Sequence, residues 1–132
     1  MKVLQPPNWP QPKGYSNGIS AKGTMVFVAG MVGWNEKEHF ETSDFSEQAR
    51  QALKNIVTVL NEAGARPEHI TRMTWYLIDL DEYKAALKSL GKIYQEEIGK
   101  VFPAMTGIQV AGLVEDEAKL EIEVTAVIPE KN

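Results

Sequence analysis

The chain contains no cysteine. That excludes a disulfide framework, a thiolate nucleophile and any cysteine-ligated metal. Its two histidines, His39 and His69, fall on a charged loop and a short turn, without the spacing of a metal-binding pair, so no metal is expected. No apolar run approaches the roughly 18 residues of a membrane-spanning helix, so no membrane partner is expected. The first residues carry one basic side chain and no apolar leader core, which predicts a cytoplasmic protein without a secretory signal. Basic clusters are missing too. Lys and Arg number 14 against 18 Asp and Glu, the net charge is −4, and no two basic residues are adjacent. Nucleic-acid binders rely on a basic stripe to neutralise phosphates, so no nucleic-acid partner is expected. No serine sits in a nucleophile-elbow context, and no glycine-rich phosphate loop is present.

What remains is an ordinary globular composition, 43% hydrophobic and 24% charged over 132 residues, enough for a single domain. Residues 1–13 read as an extended arm rich in proline, with Trp9 anchoring it to the body. Strands are expected at 16–21 and 24–30, joined by a turn at Lys22-Gly23, and a loop follows over 31–43. A helix begins at Asp44-Phe45-Ser46-Glu47, which has the pattern of a capping box. Phe45, Ala49, Ala52, Leu53, Ile56, Val59, Leu60 and Ala63 follow the 3.6-residue period behind it, and Gly64 ends it. A third strand covers 71–78. A second helix over 81–98 buries Tyr83, Leu87, Leu90, Tyr94 and Ile98. Two last strands, 104–113 and 118–128, flank the acidic turn Glu115-Asp116-Glu117. The order ββαβαββ predicts an α+β domain with both helices on one face of a mixed sheet.

The last two strands are apolar on more than one face. Leu120, Ile122, Val124, Ala126 and Ile128 share the face that suits the helices, while strand 104–113 is apolar on both sides. With helices on one side only, the open face needs a partner, and self-association is the simplest one.

Several segments resemble the Rid family, the reactive intermediate deaminases, also called YjgF-like proteins or endoribonuclease L-PSP. They are Gly14-Tyr15-Ser16, Val28-Ala29-Gly30, the helix from Gln48 to Ile56, Ala63-Gly64-Ala65, Phe102-Pro103-Ala104 and Leu120-Glu121-Ile122-Glu123. They occur in family order over residues 13–129. The resemblance implies a chorismate-mutase-like fold and a homotrimer whose open sheet faces form a central barrel. It also implies a small-molecule cleft at each subunit interface, with no organic cofactor or metal. Deaminating members hydrolyse 2-imino or enamino acids there. By position, Tyr15 matches a tyrosine lining the cleft, Gly30 a backbone position near the ligand, and Glu121 the glutamate that orients the attacking water. Met105 stands where deaminating members carry arginine, and Ala29-Gly30-Met31 replaces the common Ser-Gly-Gln.

That substitution matters because a guanidinium grips a carboxylate through a planar fork of donors, whereas a thioether fills apolar space. The candidate catalytic residue is Glu121. Candidate substrate-binding residues are Tyr15, Gly30, Met31, Trp34, Met105 and Thr106. Each has a structural reading beside it: Glu121 as a solvated or salt-bridged sheet carboxylate, Tyr15 as a packing residue, Trp34 as a cover for the core. The expected function is an enamine or imine deaminase whose substrate is altered by Met105, with a neutral or thioester-linked group in place of the free carboxylate. The alternative is a non-catalytic ligand-sensing or protein-interaction trimer.

Overall fold

A computed structural model describes residues 1–131; Asn132, the last residue of the expected domain, lies outside the described set. The main sheet holds four strands in the order β3 (Gly23–Met31), β6 (Leu120–Pro129), β4 (Ile70–Leu77) and β5 (Ala104–Gln109). β6 pairs antiparallel with both neighbours, while β4 and β5 run parallel, so the sheet is mixed as the element order predicts.

Helix α1 (Phe45–Glu62) packs across β3 and β6. The Asp44 carboxylate accepts the Glu47 N–H at 2.9 Å, satisfying one orphan donor of the first turn. Glu47 itself turns outward to Arg50 instead of reaching back to the cap. The expected apolar stripe is buried from Phe45 to Leu60, and Gly64 adopts the left-handed conformation with φ +72°. One polar residue joins that stripe. Gln48 is 1% exposed; its Nε2 donates to the Thr42 and Glu117 carbonyls, and its Oε1 accepts the Lys119 N–H. It thereby fastens α1 to the two loops at that end of the molecule. Gln48→Ala would orphan these backbone groups and is expected to lower stability by about 2–3 kcal/mol, read from the urea midpoint.

The second helix differs from the expectation. It is split into α2 (Leu80–Ala85) and α3 (Leu87–Glu97) by a loosened turn at Ala86, whose N–H is shared between the Glu82 and Tyr83 carbonyls. The break re-aims α3. Leu90, Ile93 and Ile98 are buried, while Leu87 is left half exposed.

The N-terminal half also departs from the sequence reading. Strand 16–21 shrinks to β2 (Ile19–Ser20), which pairs with β1 (Lys2–Val3) from the arm and not with β3. Leu4 fixes the arm by donating its N–H to the Gly18 carbonyl, and its side chain lies against Gly18. Trp9 is exposed and anchors nothing, because the prolines around it turn the chain outward onto Gln5. Upstream of β2, Ser16 bridges in parallel to Ala104 at the β5 edge. β5 itself stops at Gln109 because its partner β4 ends opposite, at Leu77.

On β6, Leu120, Ile122, Val124 and Ala126 are buried under the helices, as the period of two predicts. The other face of the sheet is open. It exposes Phe27 (71%), Met25 (57%) and Ile108 (48%), three large apolar side chains on one side.

Candidate functional site

Glu121 and Gly30 come together on the open face. β3 and β6 stay in register as far as Val28 opposite Val124, then a bulge displaces the pairing so that Met31 faces Ile122. The extra residue bends the strand beside Glu121, a device common next to active sites. The Glu121 side chain lies over the bulge so closely that a Cβ on Gly30 would be 2.7 Å from its Cδ. Only glycine leaves room for the carboxylate there.

On the other side of β6, Tyr76 of β4 faces Glu121. Its hydroxyl donates to Glu123, and that bond, with the nearby negative charge, raises the Tyr76 phenol above its ordinary range. Glu121 is half-buried and, among the described residues, pairs with no cation and accepts no hydrogen bond. A carboxylate held in place by packing yet left unengaged can accept a proton from a bound water.

Tyr15 and Met105 come together on the opposite face. Ser16 donates its N–H to the Pro103 carbonyl at 2.9 Å and its hydroxyl to the Phe102 carbonyl, which brings Tyr15 alongside the start of β5. Met105 faces Met73 of β4 and points toward the helices. Together they line a cavity of about 600 Å³ between the sheet and α3, with Trp75, Leu90 and Phe102 as further walls.

A single protomer therefore does not unite the candidate residues. Glu121 is opposite Tyr76 and Met105 is opposite Met73, three residues apart along β4, roughly 10 Å, and on opposite sheet faces. Met31 packs against the core from the helix side. Trp34 stacks on Phe40 with ring centroids 5.7 Å apart, and its carbonyl accepts from Asn55 at 2.8 Å. Thr106 is exposed on the open face, opposite Thr74.

Of the three arginines, Arg50 is held by Glu96 and Glu97 at 2.9 Å each, which keeps its guanidinium firmly protonated. Arg66 pairs with Glu68. Arg72, exposed on the open face, has no carboxylate within 4.0 Å among the described residues. Among the described residues, no cluster of three or more histidine, aspartate or glutamate side chains suits a metal, and no helix is long and apolar enough to cross a membrane.

Sequence reasoning missed Tyr76 and the cavity wall. The alternation Arg72, Thr74, Tyr76 on β4 was a signal for the first, since these residues share the face of Glu121. Nothing local signalled the second.

The cavity also shapes the alkaline limit of stability. Burial pushes the Tyr94 phenol well above its ordinary value, and its hydroxyl donates to the Val101 carbonyl at 2.7 Å. The unfolded chain releases that proton near pH 10, whereas the fold retains it. The contribution is therefore complete below about pH 10 and is lost as pH rises further. Tyr94→Phe is expected to cost about 1 kcal/mol at neutral pH and to soften the alkaline decline, read from urea midpoints between pH 8 and pH 11.

A family model described as Endoribonuclease L-PSP matches residues 8–128. A solved structure of the conserved Rid family protein YyfB from Yersinia pestis superposes with a TM-score of 0.83 at 30% identity, covering 96% of this chain and 98% of that one. This chain is a member of the Rid family. A RutC family protein of Aquifex aeolicus is 32% identical over 130 residues, covering 96% of this chain and 99% of the relative. The 2-iminobutanoate/2-iminopropanoate deaminase of Salmonella typhimurium is 32% identical over 127 residues, covering 96% and 97%. The Rid fold is shared as well with Escherichia coli TdcF, solved with bound serine, at a TM-score of 0.70 and 28% identity over 97% and 99% of the two chains.

Proposed function

We propose that this Rid protein assembles as a homotrimer and hydrolyses an enamine or imine in a cleft between subunits. The observation that carries the reading is the unengaged Glu121 carboxylate seated over Gly30 at the β3 bulge. The exposed Phe27, Met25 and Ile108 supply the apolar surface that association would bury. A rotation about a three-fold axis would set the Tyr15–Met105 side of one protomer against the Glu121–Gly30 side of the next. That joins two half-sites which no single chain can close.

In the proposed reaction, Glu121 takes a proton from water as the oxygen attacks the C=N carbon. The nitrogen gains a proton and the resulting carbinolamine collapses, releasing ammonia and leaving a carbonyl product. Every step is proton transfer and addition or elimination, so no oxidant or reductant is required. The resemblance places an arginine at position 105 in deaminating members, and Met105 offers no cation there. A free carboxylate next to the C=N carbon would lose its charge-assisted bonds, about 1.5–3 kcal/mol each. The favoured substrate therefore lacks that carboxylate and carries a neutral or thioester-linked group.

The same methionine favours a second reading, a non-catalytic trimer that senses a ligand or binds a partner. The two readings separate in one experiment. Purified protein is sized by light scattering, then given 2-aminoacrylate, 2-iminobutyrate and a neutral amide analogue generated in situ. The enzyme reading expects a three-chain species that turns over the neutral analogue and spares the two acids. Monomers in solution, or no turnover of any of the three, would overturn it.

A further inference from the structure

The cavity walled by Met105 differs in charge from the rest of the molecule. The chain is acidic, with 18 carboxylates against 14 basic residues, yet the only charged side chains lining this cavity are Lys13 and Lys100. Both are exposed and, among the described residues, neither has a carboxylate within 4.0 Å. Lys13 comes from the arm and Lys100 from the turn after α3, so two separate segments deliver the same charge to one opening. Behind them the wall is apolar and aromatic. Trp75 and Tyr83 meet edge to face with ring centroids 6.2 Å apart, and Met105 and Leu90 complete the lining.

A second, independent feature is polar. Trp75 is 6% exposed, and its indole N–H has no hydrogen-bond partner. A buried donor without an acceptor is costly and uncommon in a native fold. The other polar head close by, the Tyr94 hydroxyl, is already engaged by the Val101 carbonyl and cannot serve as that acceptor's substitute. An unfilled apolar chamber, an unanswered donor in its wall and two uncommitted cations are complementary to one kind of molecule.

We infer that this cavity binds a small aryl carboxylate, with its ring among Trp75, Tyr83, Leu90 and Met105 and its anionic end at Lys13 and Lys100. An acceptor atom on the ligand body answers the Trp75 indole. The volume of about 600 Å³ lies within the range of small-molecule sites. The inference deepens the proposed function and rests on it: the substrate's anion is held at the far end of an apolar body, not beside the C=N carbon. This explains how the chain can dispense with a cation at position 105 and still select an acid. It also gives the methionine a positive role, since a thioether makes favourable contact with an aromatic ring.

Gly91 makes the idea testable without damaging the fold. It lies on α3 in the cavity wall, and a Cβ built there meets nothing within 4 Å. Gly91→Leu fills the chamber from a helix position where leucine is intrinsically better tolerated than glycine. The probes are 3-phenylpropionate, its neutral amide and butyrate. They are titrated into the intact oligomer by calorimetry, and the Trp75 indole N–H is followed by NMR, assigned through Trp75→Phe.

The expected result is that 3-phenylpropionate binds and shifts the Trp75 indole resonance, that butyrate does not, and that Gly91→Leu abolishes binding while the protein remains folded. The double variant Lys13→Gln, Lys100→Gln should weaken the acid about five- to tenfold at low salt and leave the amide unchanged. Equal binding of the acid before and after the lysine changes would overturn the inference, as would binding that survives Gly91→Leu. So would failure of any probe to bind because a neighbouring subunit fills the chamber, seen as a change of oligomeric state in Gly91→Leu. Failure of the deaminase reading is distinguishable: the acid would then bind as described while no imine is turned over. Conversely, turnover of the neutral analogue without acid binding would remove this inference alone.

Discussion

Glu121→Gln is expected to lower imine or enamine hydrolysis at least 100-fold while leaving the fold and the oligomer unchanged. The amide is isosteric with the carboxylate but cannot take up a proton from water, and general-base catalysis contributes typically about 10²–10⁴-fold. The loss should appear in kcat and not in KM, since the group acts on water and not on the ligand body. Two companion variants sharpen the result. Gly30→Ala puts a Cβ within 2.7 Å of the Glu121 Cδ, and the flexible side chain escapes by swinging away. It should reduce activity with little change in stability, because the carboxylate is displaced and not removed. Glu123→Gln should have a small effect, since Glu123 is exposed and its known partner is the Tyr76 hydroxyl. Full activity in Glu121→Gln would leave the non-catalytic reading standing.

Gly33→Ala is expected to have the largest effect on stability. Gly33 is buried where the loop after β3 crosses α1, and a Cβ there would lie 2.7 Å from the Gln48 Cα. Here the obstacle is helix backbone, and no rotamer change relieves it. Overpacking of this kind costs about 3 kcal/mol where the backbone must move. That is a large share of the roughly 5–15 kcal/mol by which domains are stable. The thermal midpoint should fall by about 10 °C. The change also pushes on Gln48, so the loop at Glu117 and Lys119 should lose amide protection first, read by hydrogen exchange. A Gly33→Ala protein as stable as the parent would show that the loop and α1 separate freely.

The contrast between the two glycines bears on how the chain was read. Gly30 was reached through its resemblance to a family position, whereas Gly33 carried no signal of its kind beyond being a glycine in a loop. Their difference lies in what faces them, a mobile side chain in one case and a helix backbone in the other. Likewise the periodicity of α1 identified its apolar stripe, but not Gln48 inside it. A polar residue at a core position becomes intelligible only when three backbone groups from distant loops are found around it.

The sequence by itself determined the element types, the stripe of α1, the inward face of β6, the cap at Asp44 and the membership of the Rid family. These follow from spacings of two and 3.6 residues, from side-chain capping chemistry, and from motifs in a fixed order, all of which are local. The tertiary structure decided which strands are neighbours, so that the segment before β2 bridges β5 and the arm pairs with β2. It also decided that Tyr15 and Met105 lie on one face of the sheet and Glu121 on the other. Those outcomes depend on contacts between residues up to about a hundred positions apart, where the gain from burying one segment against another competes with every other pairing open to the chain.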